Sequence, residues 1–149
     1  MRKDNLINSA SKLKEISGSA CTEYSENLHL LVAKVTGLVL EHNNIDSLIG
    51  DANASMMRDN HTNHAKFMVS IFENYNPTVF VETILWAFRT YLSRGFHPKY
   101  WDLHLNAWLK TISQNLSKET SEQISPYYIW MLEKIPIFVE LASNPSENN

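Results

Sequence analysis

The chain has few of the residues that make turns or cross-links. Its 149 residues include 4 glycines, 5 prolines and a single cysteine, Cys21. One cysteine cannot form an intramolecular disulfide or a multi-cysteine zinc site, and this usage fits a reducing cytoplasm. The scarcity of glycine and proline favours long helices over many short strands. We therefore expect an all-α fold in a cytoplasmic protein.

The charge and hydropathy of the sequence argue against two classes of partner. The formal net charge is −3 and the pI is about 6.0, and the scattered lysines and arginines give no basic footprint for nucleic acid. No apolar run reaches the length of a membrane span, and the first residues lack the apolar core of a signal peptide. We expect no nucleic-acid partner, no membrane association, and one domain over residues 1–149.

Apolar residues recur at helical spacing through the first half of the chain. This spacing predicts a peripheral helix within residues 1–18 that Ser17 and Gly18 end, a long helix over 20–42, a short connector over 45–50 and a long helix over 53–74. The inward stripe of the last of these includes His61, His64 and Met68. Two histidines are therefore expected to face the core.

The second half of the chain has clearer helix boundaries. Asn76 is a good N-cap and Pro77 suits the first helical position, so a helix is predicted over residues 77–93. Apolar residues cover nearly the whole circumference of this helix, which predicts burial on most sides. Gly95 can adopt the left-handed backbone that ends a helix.

Two more long helices are predicted, over residues 98–116 and 118–142. Because Pro126 and Pro136 each remove a helical hydrogen bond, a break is expected near Ser125. The polar tail at residues 144–149 is expected to fray. The sequence thus predicts five long helices with one or two short ones and no strand.

The segment that follows the 77–93 helix reads Gly95, Phe96, His97, Pro98, Lys99, Tyr100 and Trp101. This order resembles the hinge of globins and of bacterial globin-coupled sensors. In those families the haem-ligating histidine is followed four residues later by a glycine, then by an apolar residue, a proline and an aromatic pair that open a long helix. Four residues before Gly95, however, stands Tyr91 instead of histidine. The chain is similar to a globin in the order of its hinge residues, but it differs at the position of the haem ligand.

This resemblance covers about residues 20–142 and implies a globin-like fold in which the helix of His61 and His64 faces a ligand pocket. The pocket residues that we expect are His61, His64, Met68, Ile84, Phe88, Tyr91, Phe96, Tyr100 and Trp101. A tyrosine phenolate can ligate haem iron when a cation compensates its charge, but Arg89 and Arg94 point away from Tyr91 on the helix. We therefore expect no haem. The alternative is haem bound through Tyr91, His61 or His64.

The histidines also have a structural explanation. His61 and His64 have a spacing that can present two imidazoles to one metal, but no Asp or Glu at ligand spacing completes a site. We expect a hydrogen-bonded core there and no metal, and we expect His97 and His104 to be structural or surface residues. No Ser-His-Asp order, glycine-rich phosphate loop or close carboxylate pair supports catalysis, so an enzyme is not expected.

The resemblance implies a sensory or regulatory signalling protein without haem, which binds a small apolar ligand or a protein partner. A haem-binding gas sensor or carrier is one alternative, and a helical interaction adaptor unrelated to globins is another. Sensor globins commonly dimerise through their last two helices. The final segment is rich in apolar residues that suggest a homodimer, namely Trp130, Met131, Ile135, Phe138 and Leu141.

Overall fold

The computed structural model describes residues 2–50 and 53–144, in which every regular element is an α-helix. The helices in this part of the chain are α1 (Arg2–Ala10), α2 (Gly18–Glu26), α3 (Leu28–Leu40), α4 (Ile45–Ile49), α5 (Ala54–Glu73), α6 (Pro77–Ser93), α7 (Lys99–Asn115) and α8 (Lys118–Ser143). The predicted all-α class is confirmed. None of these helices is both long enough and apolar enough to cross a membrane.

The helix boundaries in the first half differ from the predicted ones. Ser17 does not end the first helix, which stops at Ala10; instead its hydroxyl accepts a hydrogen bond from the backbone N–H of Ala20 at 3.1 Å and caps α2. The single helix predicted over 20–42 is divided at Asn27, whose side-chain amide donates to the carbonyl oxygen of Glu23 at 2.8 Å. The connector expected over 45–50 contains the short helix α4.

The boundaries around α6 agree with the predicted capping. Asn76 Oδ1 accepts from the backbone N–H of Val79 at 3.1 Å, and Pro77 opens the helix. Gly95 follows α6 with φ +98°, the left-handed conformation that was expected there. α6 is buried on most sides, as predicted, but one stripe is open: Val79 is 48% exposed and Trp86 is 61% exposed. α6 packs against α1 and α8, and Phe88 stacks on Trp101 of α7.

The break expected near Ser125 is also wrong. α8 continues through both Pro126 and Pro136. Residues next to the prolines, including Ile124, Tyr127 and Ile135, are buried. Packing of α8 against α7 and α6 therefore outweighs the hydrogen bonds that the prolines remove. Of the tail expected to fray, Asn144 lies just beyond α8 and the remaining residues are outside the described ranges.

The helices pack in two groups, which α7 and the contact between α2 and α8 join. α5 packs against α2 and α3, whereas α6 packs against α1 and α8. α7 lies against both α3 and α8. The backbones of the consecutive helices α5 and α6 do not pack closely, so side chains occupy the space between them. The buried core includes Leu31, Val35, Ile84, Phe88, Trp101 and Trp108.

Candidate functional site

A cavity of about 160 Å³ lies among α5, α6, α7 and α8. A cavity of this size suits a ligand about as large as benzene. Its wall is mainly apolar, and Trp86 and Asn63 are exposed, so the cavity reaches the surface. The lining residues are Asn60, Asn63, His64, Phe67, Thr83, Ile84, Trp86, Ala87, Phe88, Tyr91, Trp101, His104, Leu105 and Met131.

The helical repeat explains how each wall presents its side chains. On α5, Asn60, His64 and Phe67 follow one another at spacings of four and three residues, which places them on one face. On α7, Trp101 and His104 are three residues apart and share a face in the same way. Each helix therefore contributes one stripe to the cavity.

Five of the nine residues predicted to form a pocket line this cavity: His64, Ile84, Phe88, Tyr91 and Trp101. The other four, His61, Met68, Phe96 and Tyr100, are buried but are not part of its lining. Phe96 instead packs edge-on against Tyr91 and Tyr100, with ring centroids 5.1 and 4.9 Å away. The predicted set is thus divided between the cavity wall and the core behind it.

A chain of buried hydrogen bonds lies behind the wall. The Tyr100 hydroxyl donates its only proton to Asn60 Oδ1 at 2.7 Å, and Tyr100 Oη lies 3.0 Å from His61 Nε2. Because that proton is already used, His61 Nε2 must donate to Tyr100. His61 Nδ1 then accepts from the Thr36 hydroxyl at 2.8 Å. The chain links α3, α5 and α7.

A second set of hydrogen bonds joins α5 to α8 and α2. His64 Nε2 lies 2.8 Å from the hydroxyl of Tyr128, which in turn lies 2.9 Å from that of Tyr24. The His104 ring lies between the two sets, with its centroid 5.1 Å from that of His61 and 5.2 Å from that of His64. Three histidines are therefore grouped in the interior.

Burial keeps these imidazoles neutral at pH 7. It lowers the pKa of His61 to about 4, with the charge of Arg58 as a second cause. Burial also lowers the pKa of His64, with the charge of His61 adding to the effect. The pKa of His104 is held well below its ordinary value by burial and then by the other two histidines. Within the described residues, no three His, Cys, Asp or Glu side chains are placed to hold a metal ion.

Two rings that line the cavity carry buried nitrogen atoms with no hydrogen-bond partner among the described groups. These atoms are His104 Nε2 and Trp101 Nε1, on side chains that are 1% and 4% exposed. Leaving such an atom unpaired costs about 1–3 kcal/mol, so native structures contain few of them. Both atoms are fully buried in the packed wall, as Trp108 Nε1 is elsewhere in the core, so they do not by themselves indicate a ligand.

Tyr91 lines the cavity from α6, against Phe96 and Trp101. Burial raises the pKa of its phenol; the hydrogen bond with Asn60 lowers it, and the charge of Asp59 raises it again. In the described residues no hydrogen bond joins the Tyr91 hydroxyl to either nearby arginine side chain. The phenol is therefore held in its protonated form.

Sequence reasoning missed several lining residues. His104 was expected to be structural or at the surface, and it is in fact 1% exposed and part of the cavity wall. Its position three residues after Trp101 was the available signal. Leu105 and Met131 could not be placed, because their positions depend on how α7 and α8 pack. His97 is exposed.

A larger groove lies between α4 and α7, but it has a different character. Its residues include His42, Asn44, His97 and Lys99, all of which are exposed. An open groove with an exposed polar wall encloses a small ligand poorly. The mainly apolar cavity among α5, α6, α7 and α8 is therefore the better candidate for a specific small-molecule site.

The fold and the site together define an all-α protein with a small, mainly apolar cavity backed by a neutral hydrogen-bonded core. Comparison of the chain with protein-family models, with curated proteins and with solved structures found no match. Function is therefore inferred from the geometry of this site and from the resemblance around Gly95.

Proposed function

We propose that the chain is a sensory or regulatory globin-like protein that binds a small, largely apolar ligand without haem. The observation that carries this proposal is the cavity of about 160 Å³ with its mainly apolar wall. A core built only for stability would pack this space. Ligand sites in helical proteins commonly lie between helices and combine an apolar lining with a few polar groups.

The order of the helices supports the globin-like part of the proposal. In the resemblance, α5 and α6 correspond to the helices on the distal and proximal sides of the haem. Here the same two helices flank the cavity, and Tyr91 lines it from α6. Gly95 ends α6 with a positive φ, as the hinge requires.

Three features favour the haem-free reading over a haem-binding gas sensor or carrier. A cavity of about 160 Å³ suits one benzene-sized ring, and a porphyrin is far larger. The raised pKa of Tyr91 opposes the phenolate that iron would need. No arginine side chain reaches the Tyr91 hydroxyl within the described part of the chain. The residues present therefore do not fit a haem.

Haemin added to the purified protein tests this reading. We expect no sharp Soret band. A Soret band that is lost in Tyr91→Phe but kept in His64→Ala would show that Tyr91 is an axial ligand and would overturn the haem-free proposal.

Binding of toluene, measured by calorimetry and by the shift in melting temperature, tests the cavity itself. Ala87 lines the cavity, so Ala87→Leu should fill part of it and weaken toluene binding by about tenfold or more. Ala33 is exposed on α3, and Ala33→Leu is the matched control that should bind toluene normally. Toluene that binds both variants equally well would place the ligand elsewhere.

A protein partner is the second candidate, favoured by one exposed aromatic side chain. Trp86 is 61% exposed at the edge of the cavity, and Val79, 48% exposed, lies two turns earlier on the same face of α6. Large exposed apolar groups of this kind often mark contact sites. Trp86→Ser should weaken association with such a partner and leave the melting temperature nearly unchanged.

The homodimer stays a prediction, but the apolar residues of the final segment do not support it. The apolar side chains on α8 that suggested it are buried within the single chain: Trp130, Met131, Ile135, Phe138 and Leu141. The large apolar side chain that α8 does expose is Ile129, at 45%.

A further inference from the structure

We infer that the cavity takes a small apolar molecule with one neutral hydrogen-bond acceptor, such as a ketone, which pairs with the Nδ1–H group of His64. This inference rests on the proposed function and narrows the class of ligand. It follows from the contacts that fix the His64 ring, from the place of the proton on that ring, and from the composition of the cavity wall.

The His64 imidazole has a fixed orientation in the cavity wall. Its Nε2 lies 2.8 Å from the hydroxyl oxygen of Tyr128. The rings of His104, Trp108 and Tyr128 pack around it, with centroids 5.2, 5.0 and 5.4 Å away. These contacts hold Nε2 towards the core, so the ring cannot turn without losing the bond to Tyr128.

The second nitrogen of this ring, Nδ1, is open. It makes no hydrogen bond with any residue that the structure describes, yet it is not fully buried, in contrast to Trp101 Nε1 and His104 Nε2. His64 is half-buried and lines the cavity, and neighbouring rings cover its other faces. A polar atom of a ligand in the cavity can therefore contact Nδ1, whereas the two buried nitrogens stay out of its reach.

Two tyrosine hydroxyls determine which nitrogen of His64 carries the proton. The Tyr128 hydroxyl lies between His64 Nε2 and the Tyr24 hydroxyl, which is 2.9 Å away. If Tyr24 donates to Tyr128 and Tyr128 donates to Nε2, both hydroxyl protons are used. In the opposite direction the proton of the fully buried Tyr24 would have no acceptor among the described residues. A buried unpaired donor is costly, so the first direction is favoured.

His64 therefore presents a donor to the cavity. Its Nε2 accepts from Tyr128, which leaves the one proton of the neutral imidazole on Nδ1. The ring is neutral at pH 7 because burial lowers its pKa, with the charge of His61 as a second cause. Polar groups that face a small-molecule site fix the orientation of the ligand. An open donor at this site calls for an acceptor.

A neutral acceptor on an apolar body fits this wall best. A hydrocarbon would leave the His64 proton unpaired once it displaces water. A carboxylate would bring its charge into a wall that, in the described part of the chain, contains no lysine or arginine. A carbonyl oxygen accepts without a proton of its own. Since the cavity of about 160 Å³ is close to the volume that holds benzene, a six-membered cyclic ketone suits it.

Cyclohexanone and methylenecyclohexane have nearly the same shape, and only the first has an acceptor. Calorimetry on the full chain at pH 7 measures the affinity of both, and the ratio of the two affinities is compared between the wild-type chain and variants of His64. The different hydration of the two compounds cancels in this comparison. If neither compound binds the wild-type chain, the proposed function is overturned. If both bind and the ratio does not depend on His64, only the present inference is overturned.

Two variants separate the roles of the two nitrogens. In His64→Gln the side-chain amide reaches about as far as Nε2, which keeps a partner for Tyr128 and removes the donor at Nδ1. In His64→Asn the amide ends at about the position of Nδ1 and keeps a donor at the cavity. The ratio of ketone to alkene affinity should fall about threefold to tenfold in His64→Gln, as the loss of one hydrogen bond implies, and less than about twofold in His64→Asn. Equal falls in both variants would show that the inference is wrong.

A measurement on the unmodified protein tests the place of the proton. Long-range ¹H–¹⁵N spectra of the histidine rings report which nitrogen carries it. His64 should show a proton on Nδ1 and a bare Nε2, and cyclohexanone should shift the Nδ1 resonance more than methylenecyclohexane does. A proton found on Nε2 would contradict the inference even if neither variant folds.

Discussion

Tyr100 Oη lies 3.0 Å from His61 Nε2, and this contact joins α7 to α5 directly behind the cavity wall. The same hydroxyl donates to Asn60 Oδ1, and Asn60 is itself part of the wall. One buried oxygen atom therefore connects the cavity to the hydrogen-bonded core, and its removal affects both.

Tyr100→Phe should lower the free energy of unfolding by roughly 2–3 kcal/mol, because His61 Nε2–H and Asn60 Oδ1 would lose their partner in the core. Urea unfolding followed by circular dichroism measures the loss. Tyr75→Phe is the control. Its hydroxyl donates to the Ala10 carbonyl oxygen at 2.6 Å from a partly exposed position, so the loss should be about 1 kcal/mol. Equal losses would contradict the role given to Tyr100.

Stability should fall as the pH is lowered from 7 to 5. In the folded chain the pKa of His61 is about 4, against an ordinary value of 6.5, so between these values only the unfolded chain binds the proton. Stability is thus complete above about pH 6.5 and is lost towards pH 4, with a slope of about 1.4 kcal/mol per pH unit for one histidine. The pKa values of His64 and His104 are shifted in the same direction and steepen the slope.

Urea midpoints at several pH values between 7 and 5 measure this slope. His29→Gln, at an exposed site, is the matched control variant. A folded chain whose stability does not change over this range would show that the buried histidines accept protons freely.

Glu23→Gln should weaken the junction between α2 and α8. The Glu23 carboxylate accepts from the Ser117 N–H at 2.7 Å and from the Thr120 hydroxyl at 2.6 Å, and these bonds lower its pKa. Its charge also lies at the start of α8, where a negative charge is favourable. We expect a loss of about 1 kcal/mol, as for other N-terminal caps, in the unfolding free energy. Glu26→Gln, at an exposed site on α2, should cost less than half as much.

Two glycines should respond to alanine with opposite signs. Gly50 has φ +81°, and a Cβ there would lie 3.3 Å from the carbonyl oxygen of Gly95, so Gly50→Ala should destabilise the chain by about 1 kcal/mol or more. Gly37 lies within α3 with open space around it, so Gly37→Ala should stabilise it by about 0.5–1 kcal/mol. The melting temperatures of the two variants measure both effects. A higher melting temperature for Gly50→Ala would contradict the backbone strain that we expect from a side chain at this turn.

Light scattering at tens of micromolar tests the predicted homodimer. If α8 contributes to the dimer, Ile129→Ser should shift the equilibrium towards monomer, because Ile129 is the large apolar side chain that α8 exposes. A wild-type chain that stays strictly monomeric would remove this prediction.

Helix caps could be predicted from the sequence because they depend on neighbouring residues. Places where tertiary packing overrides a local preference could not be predicted. Asn76 and Gly95 were placed correctly because caps and left-handed turns depend on a few adjacent residues. Ser17 was misread as a stop, since serine can end one helix or begin another. Pro126 was expected to break a helix, but packing along α8 overrides that preference.

The candidate site was predictable only where one helix determines it. His64 and Tyr91 were expected at a pocket from helical spacing and from the resemblance, and both line the cavity. The place of His104 depends on α7 lying against α5 and α6 together.

The close approach of Gly50 and Gly95 also bears on how the chain tolerates changes in length. Asn53 Nδ2 donates to the carbonyl oxygens of Ile49 and Arg94 at 2.6 and 2.8 Å. The start of α5 and the end of α6 therefore lie next to each other, and the residues between them form a closed loop. Because the entropy of closing a loop rises slowly with its length, residues added in the distant turn between these helices cost little entropy if Tyr75 and the Asn76 cap keep their hydrogen bonds. An insertion beside Gly95 would instead move the Arg94 carbonyl oxygen away from Asn53 and break the hydrogen bond that holds the start of α5 to the end of α6.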